Sequence, residues 1–184
     1  MMIEEERPFT LPINVRTLPK RGRVVNFEAN ADEAAAIAAE NDLVSVEAFS
    51  ATATVQPWKG QGVAVTGRVR ASVTQPCAVT GEPVNDDIEE EVEMIFVPQD
   101  SKLAKPRLNE EGEWVLSVEG DDPPETFVGD SIDLATIWLE HFTLGLDPFL
   151  RAEGARFEPG PEDLDDADES PFAALAALKT SQPQ

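Results

Sequence analysis

Apolar residues recur along this chain with two periods, one of two residues and one near three and a half. Phe9, Leu11, Ile13 and Val15 alternate with polar or small neighbours, which puts their side chains on one face of a short strand. Pro8 and Pro12 assign that strand to a sheet edge. A second short run, Val24 to Phe27, leads into Asn30-Ala-Asp-Glu33, where Asn30 can cap free backbone donors and Glu33 can reach back in a capping box. The Ala-rich helix this predicts covers about 31–40. From Val44 to Val55 the β-branched content and loose alternation read as a strand, and Lys59-Gly60-Gln61-Gly62 supplies a turn. The return strand is the clearest in the chain: Val63, Val65, Val69, Ala71 and Val73 occupy odd positions, while Thr66, Arg68, Arg70, Ser72 and Thr74 face the other way. Ile88, Val92, Met94 and Phe96 then share one parity and Glu89, Glu91 and Glu93 the other, up to Pro98.

Residues 98–112 hold turn formers and charges without a period and read as an exposed loop. Trp114, Leu116 and Val118 predict a short strand. Ser131 or Asp130 can cap a helix in which Leu134, Ile137, Trp138, His141 and Phe142 follow the stripe of a core-packing face, with an end near Gly145 and Pro148. Residues 158–169 contain seven acids in twelve positions behind Pro159-Gly-Pro161, too little apolar area to offset the entropy of ordering. Beyond them, Ser170-Pro-Phe-Ala-Ala-Leu-Ala-Ala-Leu-Lys179 has a cap, Pro171 at the first helical position, and Phe172, Leu175 and Leu178 at three-residue spacing. These readings predict an α+β domain over 1–157, with a mainly antiparallel, twisted or barrel-like sheet and two or three helices. A disordered acidic linker over 158–170 and a short amphipathic helix over 171–179, ending at Lys179, are expected to follow.

Composition narrows the function. Of 184 residues 41% are apolar, enough for a core, and 14 basic against 36 acidic residues leave a net charge of −22. Such a field repels phosphate and anionic lipid and attracts basic surfaces, so sequence-independent RNA binding is disfavoured. With acids in place of a basic signal region and no apolar run of membrane-spanning length, a cytoplasmic protein with no membrane partner is expected.

Candidate chemistry is sparse. His141, the only histidine, lies on the apolar stripe and is expected in a core or boundary position. Cys77 is the only cysteine, and neither a cation nor a helix start stands beside it to activate the thiol, so a packed small residue is expected. One Cys and one His build no multi-thiolate zinc site, and the acidic runs lack calcium-loop spacing, so no metal, cofactor or catalytic residue is assigned. The basic minority, Arg16, Lys20, Arg21 and Arg23 near the start and Arg68 with Arg70 on the polar strand face, is a candidate RNA contact. Pairing with acids across the sheet is the competing expectation.

The run from Val65 to Val84 carries Gly67 in a strand, then Gln75-Pro-Cys77, Val79-Thr80 and Glu82-Pro83-Val84, and it resembles the signature of the YceD family. Asp130-Ser-Ile-Asp133-Leu134 opening a helix that leads to Leu146-Asp147-Pro148 is similar to the second block of that family, and 171–179 to its terminal motif. The chain departs from some relatives in having Cys77 alone and Gly81 where an apolar residue is common. The resemblance implies a cytoplasmic role in the accumulation of large-subunit ribosomal RNA, with no known catalytic residue. A non-enzymatic ribosome-biogenesis factor is expected, whose acidic surface and terminal helix bind a basic ribosomal protein or assembly factor. Direct RNA binding through the six basic residues is the alternative, and an enzyme acting on RNA or a precursor protein the third.

Overall fold

A computed structural model describes residues 7–104 and 124–157. The strand predicted at Trp114, Leu116 and Val118, the linker over 158–170 and the helix over 171–179 lie outside those residues. Seven strands and two helices are described: β1 (Pro12–Asn14), β2 (Arg23–Glu28), α1 (Ala31–Glu40), β3 (Ser45–Trp58), β4 (Gly62–Pro76), β5 (Pro83–Pro98), β6 (Glu125–Phe127), β7 (Ser131–Asp133) and α2 (Leu134–Gly145). β2 to β6 form one sheet in sequence order, antiparallel except for the parallel β5–β6 pair, while β1 and β7 form a separate two-stranded ribbon.

The α+β class and the antiparallel sheet agree with the periodicity. The barrel alternative does not: β2 and β6 are the two edges of an open sheet and do not pair with each other. The reason is visible in the strand lengths, since β3, β4 and β5 run 14, 15 and 16 residues while β6 has three, too short to close a cylinder.

One face of the sheet is dry. Val55, Val63, Val65, Val69, Ala71 and Val73 are buried there, and α2 covers them with Leu134, Ala135, Ile137, Trp138 and Phe142. Aromatic rings tie the layers together: Phe9 stacks on Phe27 at 4.1 Å, Phe27 on Trp138 at 6.0 Å, and Phe49 meets Phe142 edge-on at 5.5 Å. Thus the N-terminal segment, β2, β3 and α2 share one core. His141 is half-buried at the margin of this face and is not among the core residues of α2.

Helix boundaries follow from their caps. The Asn30 side chain accepts from the Asp32 and Glu33 amides at 2.9 and 3.0 Å and Glu33 returns a bond from the Asn30 amide at 2.8 Å, completing the capping box. For α2 the expected caps, Ser131 and Asp130, are corrected: residues 131–133 are strand β7, and Asp133 is the cap, accepting from the Ala135 amide at 3.1 Å. Asp133 prevails because the same carboxylate oxygen also accepts the Leu11 amide at 2.7 Å, which fixes helix and N-terminal segment together.

Candidate functional site

Two regions collect the residues singled out by the sequence. The first is the wet face of the sheet. Register places Asn26, Thr52, Arg68 and Glu91 on one rung, and Glu28, Ser50, Arg70 and Glu89 on the next. The Arg68 guanidinium lies 3.0 Å from Glu89 and 3.4 Å from Glu91, and that of Arg70 lies 3.1 Å from Glu89. The Arg70 hydrogen bond, aided by the charges of both arginines, holds the Glu89 carboxyl below its usual range. Being exposed to solvent, these pairs add little to stability. Their larger effect is on the surface potential, because both guanidinium groups are neutralised locally and Glu93, on the rung of Thr66, and Asp87, which accepts the Ser72 hydroxyl at 2.6 Å, extend the acidic row.

The remaining basic residues do not join them. Arg16 pairs with Asp130 at 2.6 Å, Lys20 and Arg21 are exposed in the turn before β2, and Arg23 has the strand parity of Val25 and Phe27, opposite to that of Arg68 and Arg70. Among the described residues the six cations therefore form no common patch.

The second region is the turn that joins β4 to β5. Gln75 is buried, its amide 3.4 Å from Asp86, and Cys77 follows at 3% exposure. The chain reverses with the Cys77 amide donating to the Glu82 carbonyl at 2.7 Å and the Gly81 amide to the Cys77 carbonyl at 2.9 Å, and Gly81 takes φ +73°. Pro83 then opens β5, and Val84 pairs with Gln75. Three backbone amides converge on the Cys77 sulfur: Val79 and Thr80 at 3.5 Å and Ala152 at 3.3 Å. The Thr80 oxygen accepts the Glu82 amide at 3.3 Å, and its hydroxyl donates to the sulfur.

Asp147 and Pro148 supply the third side of this site. The Asp147 carboxylate accepts the Phe149 amide at 2.9 Å and its carbonyl the Leu150 amide at 3.3 Å, forming the bend that delivers the Leu150 carbonyl to the Ala78 amide at 2.8 Å and Ala152 to the sulfur. The structure thus gathers Gln75, Cys77, Thr80, Glu82, Pro83, Val84, Asp147 and Pro148 at one end of the sheet. Gly67 stays mid-strand in β4, and Asp133 with Leu134 starts α2 beside Leu11.

The expectation that nothing near Cys77 favours its thiolate needs correction. The Thr80 hydroxyl first, then the amides of Ala152, Thr80 and Val79, lower its pKa to about 6. Neutral N–H and O–H dipoles do what a cation or helix terminus was expected to do. The three local donors, the Thr80 hydroxyl and the Val79 and Thr80 amides, fall within the spacing Cys77-x-x-Thr80-Gly81, whereas Ala152 is 75 residues away and has no local signature. In chemical terms the sulfur is a hydrogen-bond acceptor that ties the 147–152 bend to the β4–β5 turn.

Because the folded pKa lies below the ordinary thiol value, this group stabilises the fold above about pH 9, and the contribution is lost as pH falls through about 6. Thiolate absorbance near 240 nm is expected to rise with a midpoint near pH 6, with stability against urea increasing between about pH 6 and 9. A midpoint above about 8 in the native chain, or the same pH dependence of stability in Cys77→Ala, would contradict this account.

Among the described residues no helix is long and apolar enough to cross a membrane, and no group of three or more His, Cys, Asp or Glu side chains is assembled as an ion site. No curated protein and no solved structure matches the chain. A family model does, described as "Large ribosomal RNA subunit accumulation protein YceD". It spans residues 65–179 and so takes in β4 with Gly67, the Cys77 turn, the start of α2 and the Asp147 bend. With more than half of its 184 residues matched, the chain belongs to the YceD family.

Proposed function

We propose that this protein is a non-enzymatic, cytoplasmic ribosome-biogenesis factor that supports large-subunit ribosomal RNA by binding a basic ribosomal protein or assembly factor. The family description supplies the pathway. The observation that favours a basic protein over RNA is the wet sheet face, where Arg68 and Arg70 are bound to the β5 carboxylates and the row Asp87, Glu89, Glu91 and Glu93 sets the sign of the potential. A nascent basic protein held on such a face is kept from non-specific phosphate contacts until it reaches its site. The segment 171–179, with Phe172, Leu175 and Leu178, adds a candidate apolar contact to the same client.

The test is a tagged pull-down from native cells with and without nuclease. One basic ribosomal protein or assembly factor is expected to survive nuclease treatment and to be released as salt rises from ~50 to ~500 mM, where charge attraction is screened within a few ångströms. Loss of every ribosomal component with the RNA would replace this reading by direct RNA contact, and a complex indifferent to salt would remove its electrostatic basis.

A further inference from the structure

The ladder between β2 and β3 stops short of the start of β3. Glu28 pairs with Ser50, and beyond that rung the chain turns into α1, which packs beside the first residues of β3 instead. Between helix and strand runs a groove of about 640 Å3. Ala35, Ala38 and Ala39 form one wall and Leu43, Val44 and Val46 the other, and Glu47 is the one charged residue among the described residues that line it. Walls of small side chains interdigitate best with large ones from the element that covers them.

The place of this groove in the fold selects its cover. Val44 donates its amide to the Thr74 carbonyl at 2.9 Å, three residues before Cys77, and the Cys77 sulfur accepts the Ala152 amide. The last turn of α2 closes on the same place, where the Thr143 hydroxyl donates to the Asn41 side-chain oxygen at 2.8 Å just past α1. The chain thus runs to Phe157, the last described residue, from the end of the sheet that holds the groove. The other segments outside the described residues attach elsewhere. Residues 105–123 leave after Pro98 and return at β6, beside Phe96, and residues 1–6 precede Arg7, which binds Thr136 and Asp133 next to the same Phe96. Phe96 pairs with Val63, at the opposite end of β4 and on the order of 45 Å from Cys77.

We propose that residues 171–179 seat as a helix in the groove between α1 and the start of β3 of the same chain. Residues 158–170 join them to Phe157 and span roughly 20 Å as a coil, so the groove is reached without stretching the tether. On such a tether the segment is held near the groove at an effective concentration of about 1 mM or more, and a weak contact suffices. Phe172, Leu175 and Leu178 face the alanine wall and Val44, and Lys179, the one charge in the segment, meets Glu47. The inference goes beyond the basic-partner function and stands or falls apart from it. A client that takes this segment must draw it out of the groove, so seating and client contact compete.

The experiment is nuclear magnetic resonance on the full chain with labelled Ala, Leu and Val methyl groups. Overhauser contacts are expected between the Leu175 and Leu178 methyls and those of Ala35, Ala39 and Val44. Amide exchange over residues 174–178 is expected to be ~10-fold or more slower than in Leu175→Asp, because a helix this short does not persist unless it is docked. Ala35 is exposed on α1, where glutamate is a good helix former, so Ala35→Glu keeps the domain folded and is expected to erase both signals from the side of the groove.

Equal exchange over 174–178 in the full chain and in Leu175→Asp would overturn the proposal, as would contacts that survive Ala35→Glu. Contacts to the groove from residues 1–6 or 105–123 would give it another cover and overturn it too. So would contacts seen only between differently labelled chains in a mixed sample, which would make a second copy the occupant.

Discussion

Gly67→Ala is expected to leave the domain largely unfolded. A Cβ at this position would lie 2.0 Å from the Thr52 carbonyl oxygen and 2.9 Å from both the Ala53 Cα and the Thr52 carbonyl carbon. All three are backbone atoms of β3, so no rotamer change relieves the contact, and β3 and β4 must separate at the Ala53–Gly67 rung. That rung lies in the middle of the sheet, between Val55–Val65 and Ala51–Val69, whose residues are buried. Opening it is expected to cost more than about 4 kcal/mol, a large part of the usual 5–15 kcal/mol total. Soluble yield and the far-ultraviolet dichroism of the variant measure the effect. Gly60→Ala is the control: it lies in the β3–β4 turn at φ +70° with nothing within 4 Å, and is expected to lose only about 1–2 kcal/mol. A Gly67→Ala chain with the native urea midpoint would show that the strands have room the structure denies them. The same close approach gives a physical reason for glycine in the strand that opens the family signature.

The second large effect is at Trp138. Its ring is fully buried beside Phe27, yet its indole N–H has no hydrogen-bond partner among the described residues. Trp138→Ala is expected to destabilise by about 3–5 kcal/mol through the cavity it leaves under α2. Trp138→Phe should behave differently. It forfeits some buried area but also removes an unsatisfied donor, whose burial costs about 1–3 kcal/mol, so a net loss below about 1.5 kcal/mol is expected. Urea titration of the wild-type and variant chains decides the matter, and a loss of about 3 kcal/mol or more for Trp138→Phe would show that removing the N–H relieves no penalty.

Periodicity disclosed the long elements and little of what joins them. Val63, Val65, Val69, Ala71 and Val73 predict one dry face of β4, and all five are buried. The gap in that series is Gly67, where a side chain has no space. Helix α1 starts and ends where the Asn30–Glu33 box and Ala-rich run place it. By contrast β6 and β7 have three residues each, too few to establish an alternation, so Ser131 and Asp130 read as a helix start when they belong to a strand and its approach. Closure into a barrel could not be judged because it depends on whether the outermost strands meet, which is a property of twist and length rather than of side-chain order. At the candidate site, the motif residues were legible individually, but their convergence was not. Donors to Cys77 are backbone amides, and any residue type provides those; the contribution of Ala152 depends on a bend set by Asp147 and on the path of α2.

Arg68 and Arg70 illustrate the same limit on the polar face. Their parity follows from β4, but whether they face phosphate or carboxylate depends on the register of β5, fixed by the short turn through Gly81 and by Pro76 facing Pro83. A shift of one residue would put Ile88, Glu90 and Val92 on that face in place of Glu89, Glu91 and Glu93, leaving one carboxylate opposite the two arginines.

The bond from the Leu11 amide to Asp133 spans 122 residues, and the β1–β7 ladder begins directly beside it at Pro12 and Asp133. During synthesis the first strand leaves the ribosome long before its partner exists, and at about 5–20 residues per second the delay is roughly 6–25 s. Until then Phe9 and Ile13 lack the core that buries them, and Arg7 lacks the Thr136 hydroxyl and the Asp133 carboxylate that it binds at the first turn of α2. Assembly of this domain is thus timed by α2, and a nascent chain arrested before that helix emerges displays its earliest apolar segment to chaperones and to the translating ribosome itself.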